Sequence, residues 1–154
     1  MRFPKGSILL FLLFCCTFTF AQFTIPERPT EQTSVYAYIN LLSPSQKTDL
    51  EHKLIRYSDS TSTQIVIAII NSTQGENITY LGAQWGQKWG IGQSGKDNGI
   101  LVILAKDDRK VAINTGYGTE GSMTDAMSRR IIETVIIPEF KKGDYYAGLD
   151  RGSD

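Results

Sequence analysis

The side chains able to do chemistry in this chain are mostly carboxylates. Asp97, Asp107, Asp108 and Asp125 all stand in turn-like stretches or at the ends of patterned segments. Oxygen ligands of this kind suit a hard cation such as Ca2+. Each also has a plainer role. Asp97-Asn98-Gly99 is turn chemistry, Asp107-Asp108 suits a solvated hairpin tip, and Asp125 complements a helix N-terminus. His52, the only histidine, lies beside Glu51 on the polar side of a helical pattern. That argues against a histidine-based triad and a histidine-rich zinc site. The two cysteines, Cys15 and Cys16, fall in the leader described below, so the remaining chain has no thiol chemistry.

The elements that must position these residues follow from periodicity. Ser43, Pro44 and Gln46 form a helix start with a capping box, and Leu50, Leu54 and Tyr57 share a face with Ile55 beside them. Ser58 to Thr63 reads as a loop. Gln64 to Ile70 and Ile100 to Ala105 are apolar at successive positions, the pattern of strands covered on both faces. Between them, Ile78, Leu81, Trp85 and Trp89 recur at helical spacing, with Trp85 and Trp89 on the sheet-facing side. Lys106 to Arg109 reads as a hairpin turn into a strand over Lys110 to Asn114. Ser122 or Thr124 starts a helix that Pro138 stops or bends, and Asp144 to Leu149 begins another helical pattern. Ser34 to Ser43 is an extended lead-in whose Tyr36 and Tyr38 serve packing rather than a groove. The order implies an α/β fold: one domain with a mixed sheet and helices on both faces.

Gly90-Ile-Gly92-Gln-Ser-Gly95 fits GxGxxG but in the wrong context. A dinucleotide loop follows a strand and opens a helix, whereas here a helix precedes and a strand follows. Asn71-Ser-Thr and Asn77-Ile-Thr fit the glycosylation tripeptide, which matters only in a host that glycosylates exported proteins.

The first 21 residues read as a signal peptide. Arg2 and Lys5 precede an apolar run from Ile8 to Phe14, and Thr19-Phe20-Ala21 suits cleavage before Gln22. The core is shorter than the ~20 residues of a spanning helix, and Phe14 is too bulky to precede a lipidated cysteine. Loss of Arg2 and Lys5 takes the 16 basic side chains of the whole chain to 14, against 16 acidic ones. A nucleic-acid binder would need the opposite balance. Residues 22–34, polar with Pro26 and Pro29, read as a linker. About 130 residues remain, enough for one core.

Several ordered motifs together resemble the TPM-domain family: Lys88-Trp-Gly-Ile-Gly-Gln-Ser-Gly-Lys-Asp-Asn-Gly-Ile-Leu-Val-Ile103, Asp108-Arg109-Lys110, Thr115-Gly-Tyr-Gly118, Thr124-Asp125, and Ile136-Ile-Pro-Glu-Phe-Lys-Lys-Gly-Asp144. The resemblance covers about Val35 to Gly148, within a domain taken as 35–154. It implies a three-layer α/β/α sandwich-like domain, exported or lumenal, in family members often tethered by a C-terminal membrane helix. The closing helix stops early at Asp154, the pattern of a longer chain that carries such a tether. A thylakoid-lumen relative is described as an acid phosphatase that binds calcium. Carried over, the acidic cluster would be Asp97, Asp108 and Asp125, with Arg109 beside it. An aspartate common in the family shortly before Leu-Leu-Ser43 is Ala37 here, which weakens a cation site because affinity follows ligand charge and number.

Two functions compete. One is an envelope or periplasmic binding or quality-control module that engages an envelope or membrane protein. The other is a divalent-cation-dependent phosphatase-like hydrolase using Ca2+, with Arg109 steadying phosphate. Six residues from Ile100 to Ala105 span roughly 20 Å, so Asp97 and Asp108 cannot share one ion. The expected acidic and metal site is Asp97 with Asp125, near Asn98 and Tyr117. Asp108 and Arg109 form a second candidate at a solvated tip.

Overall fold

The computed structural model describes residues 22–154, so the segment read as a signal peptide lies outside the described residues. The elements are β1 (Val35–Ala37), α1 (Pro44–Thr61), β2 (Gln64–Ile70), α2 (Ile78–Trp89), β3 (Gly99–Ala105) and β4 (Lys110–Thr115). A 3-10 turn (Tyr117–Thr119) then leads to α3 (Asp125–Ile131), a π-helical turn (Ile132–Ile136), α4 (Ile137–Lys141) and α5 (Tyr145–Gly152).

Among the described residues the sheet has four strands in the order β1-β2-β3-β4. The first three are parallel and β4 returns antiparallel to β3. Alternation along the strands explains the unbroken apolar runs. Ile65, Ile67 and Ile69 face one core with Leu50 and Leu54 of α1 and Leu149 of α5. Val66, Ala68 and Ile70 face the other with Leu81, Trp85 and Trp89 of α2. Helices on both faces make the three-layer α/β/α arrangement.

The capping box at Ser43 and Gln46 forms, with Pro44 in the first turn. α1 continues through the Ser/Thr run expected to be a loop and ends at Ser62 in a left-handed conformation (φ 63°). The hydroxyls of Ser60 and Thr61 donate to the Tyr57 carbonyl, satisfying a last-turn acceptor within the helix. Tyr57 and Ile55 are exposed, unlike Leu50 and Leu54. Pro138 does not stop the closing helix. It cannot donate to the carbonyl four residues back, and the turn before it widens, with Ile137 N–H bonding Ile132 O.

Part of the segment 22–34, expected to be a linker, lies on the domain. Phe23 and Ile25 pack against the α2-side core. Trp89 Nε1 donates to Pro26 O (2.9 Å), and Arg28 Nη1 donates to Trp89 O (2.6 Å).

Gly82 is the close-approach point between α2 and the edge strand. A Cβ there would collide with Asn114 Oδ1, while Asn114 Nδ2 donates to Thr79 O at 2.8 Å. Alanine in a helix gains about 1 kcal/mol over glycine; losing the Asn114 hydrogen bond costs about 1. Gly82→Ala should therefore be near neutral alone and stabilising by about 1 kcal/mol in an Asn114→Ala background. Urea denaturation of the four-member cycle checks the coupling, and additive effects would show that Asn114 yields freely.

Candidate functional site

The parallel strands end together. Ala37 pairs with Ile69, and Ile70 with Ala105, so the loops after β1, β2 and β3 share the carboxyl edge of the sheet. Ligands of open α/β sheets bind outside this edge. Here the β2 loop and the β3–β4 hairpin are laced together. Lys106 N–H bonds Ile70 O (3.0 Å) and Asp107 N–H bonds Asn71 O (2.8 Å), extending the ladder past the strands. Arg109, exposed, closes the hairpin in the left-handed region (φ 52°).

Asp108 is the centre of this edge. Its Oδ1 accepts from the Ser72 hydroxyl (2.9 Å), and its Oδ2 accepts from Thr73 N–H (2.7 Å). The Thr73 hydroxyl lies between Oδ2 (3.1 Å) and Glu76 O (2.8 Å). The Thr73 N–H first, then the Ser72 hydroxyl, hold the Asp108 carboxyl below the usual aspartate range. The hairpin tip is therefore exposed at Asp107 and Arg109, while Asp108 is half-buried. The reason is topological: β2 and β3 are parallel neighbours, so the loop leaving one stands beside the turn leaving the other. Ser72 and Thr73 carry no signal of this role in the sequence, because the role depends on that adjacency. Glu76 Oε2 is buried nearby with no hydrogen-bond partner among the described residues.

The other candidate residues lie at the opposite edge. Ile100 pairs with Thr115, which brings the loop before β3 against the segment after β4. Gly116 N–H bonds Gly99 O (2.8 Å) and Gly118 N–H bonds Asp97 O (3.0 Å). A Cβ on Gly116 would collide with the Asp97 carbonyl, and one on Gly118 with that of Lys96. Asp97 adopts φ 47°, and its side chain is exposed. Asn98 is occupied structurally: Oδ1 accepts from Gln93 N–H (2.8 Å) and Nδ2 donates to Ser62 O (2.5 Å), tying the glycine-rich loop to the end of α1. Tyr117 is 83% exposed. Asp125 is exposed in the first turn of α3, behind the Thr124 cap.

Asp97 and Tyr117 thus share one edge, and Asp108 and Arg109 the other. Ala37, at the end of β1, lies on the Asp108 edge rather than with Asp97. Among the described residues, no three of His, Cys, Asp and Glu are placed to hold a metal ion. Ca2+ takes six to eight oxygens. The residues at the carboxyl edge do not fit that need, with Asp108 committed to protein donors and alanine at position 37.

The TPM-domain model matches residues 35–154. The chain belongs to the TPM-domain family. Solved structures agree with this TPM fold. The N-terminal domain of a protein from P. gingivalis is 30% identical with a TM-score of 0.73, covering 78% of this chain and 76% of that one. The N-terminal domain of cg2496 protein from Corynebacterium glutamicum is 20% identical (TM-score 0.65), covering 85% and 82%. BA42 protein from Bizionia argentinensis is 19% identical (TM-score 0.60), covering 75% and 78%. The latter two show the fold alone. No curated protein matches the chain.

Proposed function

We propose that this TPM domain is an exported binding or quality-control module of the cell envelope, engaging an envelope or membrane protein. The supporting observation is the state of Asp108. A general acid needs a carboxyl that holds a proton near the working pH. The Thr73 amide and Ser72 hydroxyl push Asp108 the other way, and with the Thr73 hydroxyl they occupy most of its roughly four acceptor positions. Ala37 offers no second carboxylate on that edge. No described helix is long and apolar enough to cross a membrane, so a membrane tether would come from outside the described residues.

The test is hydrolysis of a generic phosphate ester by the purified protein, with and without Ca2+ or Mg2+. Turnover no faster than in Asp108→Asn is expected. Cation-dependent turnover lost in Asp97→Asn or Asp125→Asn would replace the binding reading with the hydrolase.

Export carries its own expected result. The mature protein should begin at Gln22, and intact mass of the exported form reads this directly. A species retaining Met1 to Ala21 would make that segment an anchor.

A further inference from the structure

The segment Phe23 to Arg28 lies on α2 as a peptide ligand lies in a groove. Phe23 stacks on Trp85, with ring centroids 5.8 Å apart. Trp89 meets Trp85 and Tyr36 edge-on at 5.5 and 4.7 Å, and Tyr38 leans on Trp85 at 5.9 Å. Side chains of α2 read the segment's backbone: Trp89 Nε1 holds Pro26 O (2.9 Å) and Lys88 Nζ holds Ile25 O (3.0 Å). Lys88 also pairs with Glu27 (2.7 Å), an exposed contact. Aromatic-lined grooves that bind the carbonyls of extended, proline-bearing segments are a recurring mode of peptide recognition.

The fit is incomplete. Trp85 Nε1 and Arg28 Nε are buried without an acceptor among the described residues, and buried donors left unpaired weaken an interaction. Phe23 and Ile25 are only half-buried. An open cleft also persists beside the segment, lined by Phe23, Ile25, Gln84, Gln87 and Lys88.

We infer that the aromatic face of α2 is a docking groove for an extended, proline-containing peptide segment of a partner protein, and that residues 23–28 occupy it in cis as a displaceable strap. The segment's own chemistry specifies the partner: two apolar side chains spaced by one residue, then Pro and an acidic residue, as in Phe23-Thr-Ile-Pro-Glu27. This deepens the reading of the domain as a binding module and rests on it.

Trp85 and Trp89 are the chain's two tryptophans, so intrinsic fluorescence reports the groove alone. The mature chain and a Phe23→Ala/Arg28→Ala form, altered only on the strap, are titrated with a synthetic peptide of the sequence Gln22 to Thr30. Arg28→Ala alone is a milder companion, and far-UV circular dichroism follows the fold of each. The double variant should show red-shifted emission that the peptide reverses. Because a closed strap reduces apparent affinity by the fraction of open molecules, peptide should bind the variant about tenfold or more tighter than the unaltered chain. Emission indifferent to millimolar peptide in both variants would overturn the groove. Loss of helical signal in both would overturn it too, by making the strap part of the core. Neither result bears on the phosphate-ester assay, which judges the module reading separately.

Discussion

Replacing Trp85 with alanine is expected to destabilise the protein by about 3–5 kcal/mol, the range for deleting a large buried aromatic side chain. Trp85 has no exposed surface. It sits where α2 meets Val66, Ala68, Leu101 and Ile103 in one core, under Phe23 and beside Trp89 and Tyr38. Truncation removes contacts from the sheet and from the strap together. The surrounding elements cannot collapse into the void, because α2 is held against β4 by the close approach at Gly82. Trp85→Phe should cost less, since a ring still fills most of the space and no hydrogen bond of the indole is lost. Urea unfolding of the two variants tests this. A loss below about 1 kcal/mol for Trp85→Ala would mean that the indole is not a core group.

The second large effect is expected at Asp108. Asp108→Ala removes acceptors for the Ser72 hydroxyl and the Thr73 amide. Thr73 is fully buried, so its N–H would be left without a partner. Hydrogen bonds to charged groups contribute about 1.5–3 kcal/mol, and an orphaned buried donor adds its desolvation cost. A loss of about 2–3 kcal/mol follows. The pH dependence has a definite sign. The folded carboxyl titrates lower than the unfolded one, whose value is about 3.9. Its stabilisation is therefore fully present above about pH 4 and is lost as pH falls through the lower folded value. Asp108→Asn should lose this increment of acid sensitivity. Thermal melts of both proteins between pH 2 and 7 would show it as curves that converge in acid. Parallel curves would mean that the clamp contributes nothing through ionisation.

Much of the fold is legible in the amino-acid sequence. β2 matches its predicted limits, and α2 spans its predicted apolar positions from Ile78 to Trp89 with Asn77 as the cap, because six buried residues in a row and a 3-4-4 spacing of large apolar residues each have one periodicity that buries them. The capping box and the turns are legible for a related reason: their chemistry is local. The strap is less so. Two prolines and polar residues mark a segment that forms no regular element, yet nothing local tells a free linker from one laid on a pair of indoles far along the chain.

The candidate site divides along the same line. The sequence alone showed that residues 22–154 have carboxylates as their main chemistry and no thiol, and strand length alone kept Asp97 from sharing an ion with Asp108. It also located the meeting of Asp97 with Gly116 to Gly118, since an antiparallel hairpin has only one way to bring those ends together. What the tertiary structure decided was the company of Asp108. Ser72, Thr73 and Ala37 are all distant from it in the chain. They reach the same edge only because β1, β2 and β3 are parallel and in register. A parallel pairing is made by long crossovers, and no short-range pattern records which loops it will set side by side.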